Sequence, residues 1–230
     1  CGRHLQSPCL ELGGKNPMVI TPSADLDLAV EGALFSGFGT AGQRCTSLGT
    51  VIVHSSVHEE FVRRFDAAVR AMPVGEPGGE KDSAVVMGPL LAPRFAERYE
   101  DYLGWMGSQH TVLGSTGVGR ITADNPREGF VGDRDSWQSG LYYHPVIVDG
   151  VRVDDELFRT ETFGPIVGIA TYDDLDQALA MANAPGYGLS SSIYTTDPTE
   201  AFRFRTGIGA GMVSVNNSTS GAEAHLPFGG

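Results

Sequence analysis

The first residue whose type and setting could do chemistry is Cys45. Its thiol follows the segment Gly39-Thr40-Ala41-Gly42-Gln43-Arg44, a glycine-bearing turn between a predicted helix and a predicted strand. Glycines let backbone approach a ligand closely, and loops on a rigid scaffold often carry function. We expect the adjacent Arg44 to favour the thiolate, which is the reactive form of cysteine. A buried, inert cysteine is the structural alternative.

A second candidate is the carboxylate of Glu11. It opens the segment Glu11-Leu12-Gly13-Gly14-Lys15-Asn16-Pro17, in which two glycines allow backbone to crowd a ligand. Glu11 can act as a general base if its neighbours raise its pKa toward neutrality. A surface glutamate that pairs with Lys15 is the simpler alternative.

A third candidate is Glu161, in the segment Glu161-Thr162-Phe163-Gly164-Pro165. A carboxylate can accept hydrogen bonds from two ribose hydroxyls. The nearby ring of Phe163 can pack against a flat aromatic group. The alternative is an ordinary turn before the following strand.

These residues depend on the elements around them, and the chain alternates between strand-like and helix-like segments. Ser23 is predicted to cap the first helix, Ser56-Val57-His58-Glu59 reads as a capping box, and Pro93 can open another helix. Strands are predicted at 18–21, 50–53, 142–148, 166–171, 191–194 and 212–215, and helices at 24–35, 174–183 and 199–206. A long surface loop is predicted at 114–140. The alternation predicts an α/β fold with a largely parallel sheet.

The composition is that of a globular protein with a core, since 41% of residues are hydrophobic and 19% are charged. The net charge of −12 disfavours nucleic acid and anionic membranes as partners. No apolar run approaches the roughly 18 residues of a membrane helix. The first 20 residues show no pattern of a secretory signal.

The cysteines and histidines argue against disulfides and metals. Three cysteines without a CxxC pair form no disulfide framework and no zinc pattern, which favours a reducing cytoplasm. His54 and His58 stand four apart, but one is predicted to end a strand and the other to start a helix. We therefore expect no metal site.

Taken together and in this order, the motifs resemble those of the aldehyde dehydrogenase superfamily. The segment from Glu11 to Pro17 looks like that family's glutamate motif, and Gly42-Gln43-Arg44-Cys45 looks like its cysteine motif, at matching separation. Glu161-Thr162-Phe163-Gly164-Pro165 resembles its coenzyme-ribose motif. Three later segments match further signatures: Tyr187-Gly188-Leu189, Val215-Asn216 and Pro227-Phe228-Gly229-Gly230.

The resemblance implies a reaction as well as a fold. The thiolate of Cys45 attacks an aldehyde, the Cys45 backbone N–H holds the oxyanion, NAD or NADP accepts a hydride, and Glu11 activates the water that releases the acid. Glu161 and Phe163 then bind the coenzyme, with Leu12 and Gly13 beside its nicotinamide. The implied fold is the family's three-layer catalytic domain, and the full-length members of the family usually form homodimers or homotetramers.

The resemblance also implies a division of the chain. Residues 1–14 correspond to the end of the coenzyme-binding domain and 15–230 to the catalytic domain, so the rest of the coenzyme domain is mostly absent. We expect these 230 residues alone to bind NAD only weakly and to be inactive. Asn217–Leu226 would line the substrate entrance, with Ser220, Gly221 and Ala222 closest in type to semialdehyde dehydrogenases such as aminoadipic semialdehyde dehydrogenase. Arg44 would pair with a substrate carboxylate.

Three other functions remain open from the sequence. The first is an aldehyde dehydrogenase that transfers the acyl group to CoA, although the presence of Glu11 favours hydrolysis. The second is a non-catalytic protein that retains the fold. The third is a cysteine hydrolase, which needs a base such as histidine beside the thiol.

Overall fold

The computed structural model describes residues 2–5, 11–78, 85–133, 135–222 and 225–230. In chain order the strands are β1 (Asn16–Ile20), β2 (Leu48–His54), β3 (Thr111–Leu113), β4 (Val146–Asp149), β5 (Ile166–Tyr172), β6 (Ser190–Tyr194) and β7 (Met212–Val215). The helices are α1 (Leu26–Phe38), α2 (His58–Ala71), α3 (Pro93–Leu103), α4 (Glu156–Arg159), α5 (Leu175–Asn183) and α6 (Pro198–Gly207). Strands and helices alternate as predicted, although β3 and α4 had no counterpart in the prediction.

The seven strands form one sheet in the order β3-β4-β5-β2-β1-β6-β7. Every neighbouring pair is parallel except β3 with β4. Helices α1 and α2 pack on each other, as do α5 and α6, and both α1 and α5 contact the central strands. The prediction of a three-layer α/β fold with a largely parallel sheet is confirmed.

The central strands are buried on both faces, as parallel strands between helices must be. All five residues of β1 and β6 are buried, and so are the first six of β2. In helix α2, Phe61, Phe65 and Val69 face the core at helical spacing. None of the helices in the described residues is long and apolar enough to cross a membrane.

Two helix starts differ from the prediction. Asp25, not Ser23, caps α1, because its carboxylate accepts hydrogen bonds from the N–H groups of Asp27 and Leu28. The capping box at Ser56 is wrong: a 3-10 turn over Ser55–Val57 precedes α2, and Val57 caps that helix without a side-chain bond. At α1 the carboxylate of Asp25 thus takes the place predicted for Ser23, and before α2 the imidazole of His54 accepts the N–H of Ser56 in the 3-10 turn.

The segment 114–140 is irregular, as predicted, but it is anchored. The guanidinium of Arg127 is buried and donates to the carbonyls of Val69, Arg70 and Met72 at the end of α2. Ile121 is fully buried. The loop therefore closes over the end of α2.

Candidate active site

The motif residues meet at one edge of the sheet. The glutamate motif precedes β1, Cys45 precedes β2, Glu161 precedes β5 and Tyr187 precedes β6, and these four strands are neighbours in the order β5-β2-β1-β6. Since parallel strands present their amino ends on the same side, the four segments converge. The arrangement is unusual, because open α/β sheets mostly bind ligands at the carboxyl ends of their strands.

The backbone before Cys45 is strained. Thr40 and Ala41 have φ values of 53° and 54°, in the left-handed region that non-glycine residues rarely adopt. Gly42 follows at φ 66°, and a Cβ there would lie 2.2 Å from the carbonyl oxygen of Gly164. The backbone of the cysteine loop thus packs directly against the backbone of the loop after Glu161. Strain of this kind costs roughly 1–3 kcal/mol per residue and is found mostly at functional sites.

Hydrogen bonds hold the loop on both sides of Cys45. The Ser47 hydroxyl accepts from the Arg44 N–H at 3.1 Å, and the Ser47 N–H donates to the Arg44 carbonyl at 3.0 Å. The amide of Asn16 donates to the carbonyls of Cys45 and Ser47 at 2.9 and 2.7 Å. These hydrogen bonds therefore hold in place the backbone that carries the Cys45 thiol.

Cys45 is a partly exposed free thiol. Burial raises the pKa of this thiol first, and the negative charge of Glu11 raises it further. The backbone N–H groups of Cys45 and Thr46 lower the pKa of the thiol in part, and the charge of Glu161 adds a smaller upward effect. The carboxylates of Glu11 and Glu161 are thus both close enough to act on the sulfur.

The expected effect of Arg44 on the thiol is wrong. The pKa of Cys45 is raised, and the groups that shift it do not include Arg44. The guanidinium of Arg44 instead stacks over the ring of Phe35 on α1, 5.1 Å from its centroid. Adjacency in sequence did not bring the charge to the sulfur, because the side chain is drawn to an aromatic face.

The two glutamates have different surroundings. Glu11 is exposed, whereas Glu161 is partly buried and its carboxylate accepts a hydrogen bond from the N–H of Gly14 at 3.0 Å. Burial raises the pKa of Glu161, which that hydrogen bond and the charge of Lys15 lower in part. A Cβ on Gly13 would lie 2.0 Å from a carboxylate oxygen of Glu161. Gly13 therefore makes room for Glu161, and Gly14 donates its N–H to it.

Lys15 is not the surface partner of Glu11 that the simpler sequence interpretation offered. It is only 4% exposed, and its methylene chain fills the space that a side chain on Gly49 would need. Burial lowers the pKa of Lys15 to about 7, and the negative charge of Glu161 opposes that shift. Lys15 thus belongs to the surroundings of Glu161.

A cavity of about 540 Å³ lies beside Glu161. Leu12 and Gly13 line it together with Gly186, Tyr187, Gly188, Leu189, Phe228, Gly229 and Gly230. The Tyr187 hydroxyl accepts from the Glu161 N–H at 3.4 Å, and Leu12 is 68% exposed. Phe163 has φ 38° and its ring lies 6.1 Å from that of Phe95. The structure thus groups Leu12 and Gly13 with Glu161.

A second cavity, of about 390 Å³, lies between α1 and the segment after β7. Ser220, Gly221 and Ala222 line it, and so does Phe35, on whose ring Arg44 stacks. The segment runs back along the sheet, and Ser220 donates to the carbonyl of Thr46 at 3.1 Å. Of the predicted substrate residues, Ser220 thus contacts the residue that follows Cys45, while positions 223–224 of that loop lie outside the described residues.

Two residues of the site had no role in the sequence interpretation. Asn16 is 1% exposed and bonds to two other segments, since it donates to the cysteine loop and its amide oxygen accepts from the N–H of Ser190 at 3.1 Å. Tyr187 contacts Glu161. Both lie within the quoted motifs, but only the order of the strands shows what they touch. Among the described residues there is no cluster of three or more metal-ligating side chains.

Comparison with known proteins gives a consistent result. The model of the aldehyde dehydrogenase family matches residues 1–230. The chain is 35% identical over 229 residues to α-ketoglutarate semialdehyde dehydrogenase of Haloferax volcanii, covering 100% of this chain and 43% of that protein. It is 37% identical over 223 residues to α-aminoadipic semialdehyde dehydrogenase of Bos taurus, covering 96% and 38%.

Solved structures show the same fold. Betaine aldehyde dehydrogenase from Staphylococcus aureus has a TM-score of 0.85 and 26% identity, over 100% of this chain and 42% of that one. An NAD-dependent aldehyde dehydrogenase from Sinorhizobium meliloti has a TM-score of 0.84 and 29% identity, over 99% and 42%. The chain thus spans less than half the length of these relatives. With its whole length matched by the family model, the chain belongs to the aldehyde dehydrogenase family.

Proposed function

We propose that these residues form the catalytic part of an NAD(P)-dependent aldehyde dehydrogenase, which oxidises an aldehyde to its carboxylic acid. The observation that carries the proposal is the meeting of Cys45 with two carboxylates at the amino ends of four adjacent strands. Glu11 and Glu161 both act on the sulfur by charge, although they lie far apart in sequence. Residues 15–230 would be the catalytic domain and residues 1–14 the end of the coenzyme domain.

Cys45 is the nucleophile in this proposal. Its sulfur, as thiolate, adds to the carbonyl carbon, and the carbonyl oxygen becomes an oxyanion. A backbone N–H of the cysteine loop can donate to that oxygen, because the loop is held in place by Ser47 and Asn16. The oxyanion collapses to a thioester on Cys45 when the former aldehyde hydrogen leaves with its electron pair.

Glu11 acts in the second half of the reaction. Its exposed carboxylate takes a proton from water as the water oxygen attacks the thioester carbon. The carbon–sulfur bond then breaks, the sulfur leaves as thiolate, and the carboxylic acid is released. An exposed position suits this role, because the base must reach water and later lose its proton.

The residues around the larger cavity fit a nicotinamide coenzyme, which supplies the hydride acceptor when bound. Glu161 presents a partly buried carboxylate for two ribose hydroxyls, held from behind by the N–H of Gly14. Leu12 and Gly13 line the same cavity, and Phe163 follows on the Glu161 loop. We propose these four as the coenzyme contacts of this chain.

The substrate would enter at the smaller cavity. Ser220, Gly221 and Ala222 line it, and Arg44 stands at its edge on Phe35. A guanidinium placed there can bind a carboxylate, so we propose a semialdehyde as the substrate class. Relatives named as α-ketoglutarate and α-aminoadipic semialdehyde dehydrogenases support this choice. A cytoplasmic homodimer or homotetramer is the setting that we propose.

The test uses the intact protein that carries this chain. Purified enzyme is mixed with a short semialdehyde and NAD⁺ or NADP⁺, and formation of the reduced coenzyme is followed by absorbance. Cys45→Ala should abolish turnover, and the product should be the free acid whether or not CoA is present. An acyl-CoA product, or turnover that survives Cys45→Ala, would refute the proposal. For the substrate class, Arg44→Ala should raise KM for a carboxylate-bearing aldehyde and leave KM for a neutral aldehyde unchanged.

A further inference from the structure

Three consecutive carbonyls follow the thiol, and side chains from other segments hold all of them. Asn16 donates to the carbonyls of Cys45 and Ser47, at 2.9 and 2.7 Å. Thr219 and Ser220 donate to the carbonyl of Thr46 between them, at 2.9 and 3.1 Å. The backbone of this turn is thus fixed from outside rather than by its own hydrogen bonds alone.

The peptide unit between Cys45 and Thr46 differs from the next one. None of the described peptide bonds is cis, so in each unit the carbonyl and the N–H point in opposite directions. The Cys45 carbonyl faces Asn16, and the Thr46 N–H at the other end is one of two backbone N–H groups that lower the pKa of the Cys45 thiol. In the following unit the N–H of Ser47 donates to the carbonyl of Arg44 instead. Only the first unit links a side chain to the thiol.

We propose that Asn16 is a positioning residue for the nucleophile: by holding the Cys45 carbonyl, its amide aims and polarises the Thr46 N–H toward the sulfur. Hydrogen bonds in a chain strengthen one another, so a donor at the carbonyl makes the N–H a better donor. A donor aimed at a thiolate stabilises the charged form. Asn16 therefore promotes the reactive state of Cys45 without touching it.

The surroundings of Asn16 support a dedicated role. Its side chain is 1% exposed and uses its oxygen as well, accepting from the N–H of Ser190 on β6, so the amide cannot rotate freely. Gly14 leaves the necessary space, because a Cβ there would lie 2.6 Å from the Asn16 oxygen and 2.7 Å from the Cys45 carbonyl oxygen. One amide thus ties the amino ends of three neighbouring strands to the thiol.

The inference rests on the proposed role of Cys45 as nucleophile, but its test needs no turnover. Iodoacetamide reacts with the thiolate, so its rate with Cys45, followed on the Cys45 peptide by mass spectrometry, reports the thiolate fraction at each pH. Asn16→Ala in the full chain should slow the reaction at neutral pH about fivefold, the usual scale for one hydrogen bond between neutral groups. The rates should converge at high pH. The charges of Glu11 and Glu161, which also act on the sulfur, are unchanged in this variant.

The direction of the change separates positioning from a merely structural role. Burial raises the pKa of Cys45, so a variant that only loosened the fold would expose the thiol, lower its pKa and speed the reaction. Asn16→Ser keeps one short donor and should give an intermediate rate, which also serves if Asn16→Ala fails to fold. An unchanged or faster reaction in a folded Asn16 variant would overturn the proposal.

Two control variants complete the experiment. Thr219→Val removes a donor from the neighbouring Thr46 carbonyl, whose peptide unit does not reach the sulfur, and should leave the rate unchanged. Asn125→Ala removes an amide that also donates to two carbonyls, those of Val118 and Arg120, far from the thiol. If Asn125→Ala slowed the reaction as Asn16→Ala does, the proposal would be wrong. A wild-type enzyme that fails to oxidise aldehydes would overturn the proposed function and leave this result intact.

Discussion

The carboxylates of Glu11 and Glu161 lie near the same two glycines, Gly13 and Gly14, but their surroundings differ. Glu161 is partly buried, accepts the N–H of Gly14 and lies in the field of a buried lysine. Glu11, two residues before Gly13, is exposed. The negative charges of both carboxylates raise the pKa of Cys45, and the charge of Glu11 has the larger effect.

The difference separates two tasks that one residue type can perform. A carboxylate that must hold a ligand is best fixed in advance, since its orientation is then not lost at binding. A carboxylate that must take and give up a proton needs access to water. Glu161 fits the first description and Glu11 the second.

The largest effect should come from Glu11→Gln in the intact protein. We expect kcat to fall by about 100-fold or more, the usual contribution of a general base, while the first equivalent of reduced coenzyme still forms quickly. The reason is that thioester formation does not need activated water, whereas its hydrolysis does. Rapid-mixing absorbance measurements separate the two phases.

Glu97 provides the control for this prediction. It is also an exposed glutamate, on α3, and the groups that act on the thiol do not include it. Glu97→Gln should therefore leave both phases unchanged. If Glu11→Gln slowed the first phase as much as the second, Glu11 would act on the thiol rather than on water.

Gly13→Ala should have the next largest effect, and it acts on the carboxylate of Glu161 rather than on that of Glu11. A Cβ at this position would lie 2.0 Å from a carboxylate oxygen of Glu161, so the side chain must move. We expect the dissociation constant for NAD(P) to rise about tenfold, as for the loss of a hydrogen bond to a charged group. Calorimetric titration of the intact protein measures it.

Gly88→Ala is the matched substitution, because its Cβ would make only ordinary contacts, the nearest at 3.7 Å. Coenzyme binding should not change in that variant. Unaltered binding in Gly13→Ala would show that the placement of Glu161 does not matter for the coenzyme.

The contrast between the two glutamates could be predicted from the sequence only in part. Each motif visibly precedes a predicted strand, so a common sheet edge was within reach of sequence reasoning. The order of the strands was not, because the local pattern of Thr50–Val53 or Ile166–Thr171 does not say which strands are neighbours. Without that order, neither the bonds of Asn16 nor the approach of Glu161 to Gly13 can be foreseen.

Side-chain direction and backbone strain escaped prediction for different reasons. Arg44 lies in the loop that the sequence predicts, but its guanidinium stacks on the ring of Phe35 and not beside the sulfur. Thr40 and Ala41 adopt left-handed backbone that their residue types disfavour, so no local propensity signals it. Tertiary packing imposes that conformation, which local reasoning does not include.

The buried Lys15, which lies near Glu161, leads to a prediction about how stability depends on pH. The folded-state pKa of Lys15 is about 7, below its ordinary value of 10.5, so between these values the unfolded chain binds the extra proton. Stability should therefore rise with pH through this window, by at most about 1.4 kcal/mol per pH unit, and be lost as pH falls toward 7. Lys15→Met should lack this contribution, so its free energy of unfolding relative to wild type should decrease from pH 7 to pH 10.

Urea unfolding of both proteins across that range measures the difference. Adding Glu161→Gln to the wild type should widen the window, because Glu161 opposes the lowering of the Lys15 pKa. Adding Glu11→Gln should not. Parallel stability curves for wild type and Lys15→Met would mean that the amine is not buried as a charge-sensitive group.

The smallest effect should appear at the thiol itself. Removing either negative charge makes the thiolate less unfavourable, so both Glu11→Gln and Glu161→Gln should lower the pKa of Cys45 and speed its alkylation at neutral pH. Glu11→Gln should give the larger gain, on the order of two- to threefold, which is the scale of a screened charge interaction near the surface. Added salt should shrink the gain from Glu11, whose carboxylate is exposed, more than the gain from Glu161. Equal salt sensitivity of the two gains would mean that solvent reaches both carboxylates alike, and the division of tasks between them would then have no electrostatic basis.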